Sequence, residues 1–88
     1  MNMPMPTVHL NGASRDSLVE QRTDVADALR DVEKAIGQAW PHGRDYYTQG
    51  PDALSAAQQA WRERVTVVAE MREEIMEEAL RIYSQEGV

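Results

Sequence analysis

The sequence has no cysteine and no phenylalanine. Without cysteine there are no disulfides and no thiolate metal sites, which fits a reducing compartment. Without phenylalanine the core must come from Ala, Val, Leu, Ile, Met and two tryptophans. Positive charge is also scarce: nine Lys and Arg stand against fifteen Asp and Glu, for a net charge of −6. Neutralising a phosphate backbone takes surplus cations, so direct binding along DNA or RNA is not expected. No apolar run approaches the ~20 residues that span a bilayer. The first residues lack the basic stretch and apolar core of a signal peptide. The expectation is a cytoplasmic protein with no membrane partner.

Chemistry-bearing patterns are equally sparse. His9 and His42 stand alone, with no metal-ligand spacing around them. No Glu-x-x-His pair occurs, so the di-iron bundle pattern is missing. No glycine-rich phosphate loop and no local Ser-His-Asp or Cys-His arrangement is legible. The reading is therefore a non-enzyme with no catalytic residue, no metal and no cofactor.

What is present is helical patterning. Eighty-eight residues that are 42% apolar make one small folded domain, spanning 1–88. Prolines at positions 4 and 6 predict a flexible start over 1–6. Thr7 to Leu10 suits a short extended segment, lying along the helices or meeting another copy, and Asn11-Gly12 signals a turn. Ser14 is a good N-cap for a first helix over about 14–40, with Ser17 and Glu20 a rival capping box. In that helix Leu18, Val25, Val32 and Ala39 recur every seven residues, with Arg22, Leu29 and Ile36 in the alternate slots. A second helix over about 51–83 opens at Pro51. It carries Leu54, Trp61, Val68, Ile75 and Ile82 as one heptad series and Gln58, Val65, Arg72 and Ala79 as the other. The fold class is all-α: a long antiparallel helical hairpin joined by a loop over 41–50.

Folded tightly at that loop, the hairpin sets Ile36 near Ser55, Leu29 near Arg62 and Leu18 near Glu73. Residues beyond Glu74 then overhang the shorter helix and expose Ile75, Met76, Ala79, Leu80, Ile82 and Tyr83. A lone two-helix hairpin also buries little apolar area against its chain entropy. Both arguments predict a homodimer or higher oligomer built as a helical bundle. Arg22 and Arg72 fall close together in this register, with Glu20, Glu73 or a bound anion as partner, or with their heads in water. The glutamates at 70, 73, 74, 77 and 78 read as a solvated face.

The candidate binding residues gather at the break between the helices. In Gly43-Arg44-Asp45-Tyr46-Tyr47, Arg44 suits a phosphate or carboxylate, and either tyrosine suits a planar ring. The same residues could cap the bundle end, with Asp45 bonding loop amides. Ser14 and Arg15, at the first helix entry, add a hydroxyl, free amides and a cation suited to an anion. In one hairpin they lie at the end opposite the bend. In an antiparallel dimer they would meet the partner's bend.

Asn11-Gly12, Ser14-Arg15, Leu18 and Gln21, then Pro41, Gly43-Arg44-Asp45-Tyr46-Tyr47 and Gly50, resemble a group of small bacteriophage and prophage proteins. The chain departs from that pattern at Thr48, where the group often carries proline, and at Trp61, where histidine occurs. The resemblance implies a phage accessory protein acting in the host cytoplasm. By analogy with sponge-like anti-defence hairpins, it implies a non-enzymatic oligomer that sequesters a small anionic ligand, a nucleotide immune signal, through Ser14, Arg15, Arg44, Asp45, Tyr46 and Tyr47. Two alternatives stand beside it. One is an anti-CRISPR-like inhibitor that presents its acidic helical face to a host defence complex. The other is a structural phage protein without ligand.

Overall fold

The computed structural model describes residues 4–8 and 14–85. It is a helical hairpin with no strand among those residues. Helix α1 spans Arg15–Gln38 and helix α2 spans Ala53–Tyr83. The turn expected at Asn11-Gly12 lies outside the described residues, as do 1–3 of the expected flexible start and 9–10 of the expected extended segment. No helix among the described residues is long and apolar enough to cross a membrane.

Ser14 starts α1: its backbone is extended and its Oγ accepts the Ser17 N–H at 3.1 Å. That contact answers one of the four orphan donors at a helix start. The helix closes at Ala39, whose N–H reaches the Ala35 and Ile36 carbonyls, just ahead of Trp40-Pro41. Pro41 forbids continuation because it has no N–H to give. The expected start of the second helix at Pro51 moves to Ala53, because Pro51 and Asp52 form a turn. Gly50 enters that turn at φ 102°, a region that favours glycine.

The connection decides how the helices meet. It is not a tight corner. It makes two single 3-10 turns, Gly43–Asp45 and Tyr47–Gln49, and runs beside the first turns of α2. Pro41 is buried, and its carbonyl accepts from Gln58 Nε2 at 3.4 Å. Leu54 Cδ2 lies 3.7 Å from where a Cβ on Gly43 would stand. The loop therefore takes the place beside α2 that the tight-bend register gives to α1. Helix α1 pairs with α2 more than two turns later: Leu18 shares its core cluster with Ile82, not with Glu73. The end of α2 therefore does not overhang α1, although Met76, Leu80 and Tyr83 are exposed as expected. Ile82 is 0% exposed and Ala79 is buried.

The heptad series of α2 forms the seam, every member from Leu54 to Ile82 being buried or half-buried. Helix α1 departs from expectation. Arg22, Leu29 and Ile36 face the seam, but Ala26, Glu33 and Trp40 alternate with them. Val25, Val32 and Ala39 are exposed. The reason is electrostatic and steric. The two arginines on the stripes need carboxylates once they leave water. Arg72 Nε reaches Glu33 at 2.7 Å and Arg22 Nε reaches Glu78 at 3.1 Å. Arg22 and Arg72 are thus neutralised separately across the seam and are not neighbours. Rotating Glu33 inward also turns Ala26 inward, where its small side chain lets the helices approach.

The buried apolar set among the described residues is small: Val8, Leu18, Ala26, Ala79 and Ile82. The radius of gyration is 18.9 Å and the extents are 62 × 22 × 15 Å. A compact chain of this length has a radius near about 12 Å. The molecule is one helix thick, so both broad sides of the hairpin face outward.

This register makes a stability test at two α2 positions two residues apart. Ile82→Ala should lower stability by about 2–4 kcal/mol. Leu80→Ala, at 63% exposure, should cost under about 0.5 kcal/mol. Urea unfolding followed by circular dichroism reads both. A larger cost at Leu80 than at Ile82 would contradict the seam.

Candidate ligand loop and open apolar face

Six sequence-predicted residues fall at two ends of the hairpin. At the closed end, His42 Nδ1 accepts the Arg44 N–H at 3.3 Å and caps the first 3-10 turn. The Asp45 and Tyr46 amides are spent on the His42 and Gly43 carbonyls. Tyr46 is half-buried, whereas Tyr47 is 81% exposed. The adjacent tyrosines thus do different jobs: one leans on the protein and one stands in water. Arg44 and Asp45 are exposed. The Arg44 guanidinium forms no ion pair or hydrogen bond among the described residues, so its charge is not committed internally.

At the open end, Ser14 and Arg15 are engaged in holding the ends together. Ser14 Oγ is the α1 cap. Arg15 Nη2 donates to the Gln85 carbonyl, while its buried Nε meets no partner among the described residues. Gln85 completes a latch: its Oε1 accepts the Val8 N–H at 2.6 Å, and its Nε2 donates to the Pro6 carbonyl at 3.1 Å. The segment before α1 therefore lies along the helix ends, and Val8 packs onto Leu18 and Ile82. Sequence reasoning missed Gln85, a single amide beyond the helix whose role only the fold reveals. Within one chain the structure does not bring Ser14 and Arg15 to the Arg44–Tyr47 loop. Among the described residues, no three His, Asp or Glu side chains gather as a metal site would require.

Glu78, read from sequence as solvated, is instead an internal partner. Its side chain is 11% exposed against Arg22, which also donates to the Leu18 carbonyl and Gln21 Oε1. Glu70, Glu73, Glu74 and Glu77 do remain exposed. The Arg72 guanidinium is held above arginine's ordinary pKa, chiefly by its hydrogen bond to the Glu33 carboxylate and then by that charge.

A second feature follows from helical geometry. The position just before each seam residue lies about 100° round the helix, and in an antiparallel pair those positions fall on the same side of both helices. On α1 this side carries Val25, Ala28, Val32, Ala35 and Ala39, all exposed. On α2 it carries Ala60, Arg64, Val67, Met71 and Glu74, with Val67 58% exposed. The opposite side is mixed, with Asp27, Arg30 and Lys34 on α1 and Arg62, Glu73, Met76, Leu80 and Tyr83 exposed on α2. One broad side of the hairpin is thus apolar with the same three-four spacing as the seam, and it is open. A shallow depression of about 490 Å³ lies on it, lined by Ala60, Glu63, Arg64, Val67 and Val68. Arg64 rests over the Trp61 ring at 4.8 Å.

A comparison with family models, characterised proteins and solved structures returns no match to this chain.

Gln85→Ala should release the first segment without disturbing the bend. The Val8 amide should lose its protection from hydrogen exchange, while the Asp45 and Tyr46 amides keep theirs. Equal protection at Val8 in both proteins would remove the latch.

Proposed function

We propose that this chain is a non-catalytic, self-associating binding protein whose bend captures a small, planar, anionic ligand and holds it out of circulation. The observation that carries this reading is the pair Arg44 and Tyr47. Both are exposed, on consecutive 3-10 turns, and the guanidinium has no partner among the described residues. A guanidinium offers a two-pronged donor to phosphate oxygens, and a phenol ring offers a face for a base. The 3-10 hydrogen bonds and the buried Pro41 restrict the loop, which lowers the ordering cost on binding. Asp45 and Tyr46 shape the loop beside them. Ser14 and Arg15 enter only from a second copy, and their own engagements make them the weaker half of the site.

The ligand class that fits these groups is a nucleotide. The resemblance to small phage proteins supplies the setting: sequestration of a nucleotide immune signal in the host cytoplasm. A second reading rests on Glu70, Glu73, Glu74 and Glu77, which leave α2 with an acidic strip suited to a basic protein surface.

Titration calorimetry against cyclic di- and trinucleotides and ADP-ribose derivatives separates the two. Arg44→Ala and Tyr47→Ala should each weaken nucleotide binding by about 10- to 100-fold and leave helix content and assembly size unchanged. No heat with any of these ligands, at high protein concentration, argues for the acidic strip instead.

A further inference from the structure

We infer that the open apolar side is an isologous dimer interface, occupied by a second copy of this chain lying antiparallel across it. This rests on the self-association in the reading above, and not on its ligand. Three observations select the occupant.

The first is area. The chain exposes 6562 Å². A compact protein of its mass exposes roughly 5,200 Å², so this chain exposes about a quarter more. The difference exceeds the ~800 Å² per partner of an ordinary stable interface. A hairpin with five buried apolar residues among those described has little else to draw on.

The second is register. The Leu18–Ile82 cluster and the Arg22–Glu78 pair fix which levels of α1 and α2 face each other. By that register, the point midway between Ala28 and Val32 lies level, within about one 1.5 Å residue rise, with the point midway between Val67 and Met71. A two-fold axis across the face at that level opposes each large residue to a different one. Ala28 meets Val32 of the partner subunit, Val25 meets Ala35 of the partner subunit, and Val67 meets Met71 of the partner subunit. The two α1 pairs set small against large, the pattern that lets helices interdigitate, and Val67 with Met71 fills the space between the α2 helices.

The third is charge. The same axis sets Arg64 against Glu74 of the partner subunit, and by symmetry forms that pair twice. The alternative two-fold arrangement, with both bends at one end, places Arg64 by Ala35 and Glu74 by Val25 and leaves both charges without partners. The antiparallel arrangement also carries each bend to the level of the partner's α1 start, the only route by which Ser14 and Arg15 approach the loop site.

Sedimentation of the full chain tests this. The native protein should run at twice 9.9 kDa. Arg64→Glu and Glu74→Arg should each weaken the dimer by about tenfold or more, because each creates two like-charge contacts. The Arg64→Glu/Glu74→Arg double variant should return to near-native dimerisation. Val32→Glu should give a helical monomer by circular dichroism. A native monomer at high micromolar concentration would overturn self-association and this face together. A dimer indifferent to these changes, or a double variant as weak as the singles, would overturn the face alone and leave the ligand reading to its own test.

Discussion

The length and course of the bend govern this molecule. Fourteen residues between α1 and α2 do not reverse the chain at a point; they descend beside α2 and cover its first turns. This sets the register of the whole hairpin. The end of α2 then covers the start of α1, and Ile82 becomes the best-buried side chain. The same displacement brings Arg22 opposite Glu78, and it leaves Glu33 within reach of Arg72. Both pairs are only partly sheltered, with side chains 11–25% exposed. Their value lies in fixing rotation and register as much as in stability.

A two-helix layer has two broad sides, and rotation of the helices decides what each shows. Turning Ala26 and Glu33 inward turns Val25 and Val32 out. The side that receives them is largely apolar and evenly spaced. The other side is mixed: it keeps Asp27, Arg30 and Lys34 on α1, with Met76, Leu80 and Tyr83 exposed toward the end of α2. The bend is separate from this division. Arg44 and Tyr47 stand clear of both sides, held by backbone hydrogen bonds and a buried proline and by no packed core.

Much of the architecture was legible from residue pattern. The Ser14 cap, the break at Pro41 and the uninterrupted α2 heptads give a helical hairpin by local rules, since caps, prolines and periodicity act within a few residues. The register was not legible, because it depends on whether a Pro- and Gly-bounded loop turns sharply or runs alongside a helix, and composition does not distinguish these. The α1 seam was half legible. Apolar counting favoured Val25 and Val32 over Ala26 and Glu33, and it could not weigh the need of Arg72 for a carboxylate. At the candidate site, residue type left either tyrosine open, and only the course of the 3-10 turns shows Tyr46 half-buried and Tyr47 exposed. The commitment of Arg15 to Gln85 required the two chain ends to meet, seventy residues apart in sequence.

The most direct measurement is of the register itself, from which the seam, the paired arginines and the level of the open side all follow. With methyl-labelled protein, a nuclear Overhauser spectrum should show the Leu18 methyl groups in contact with those of Ile82 and Val8. Contacts from Leu18 to Ile75, without any to Ile82, would contradict the account.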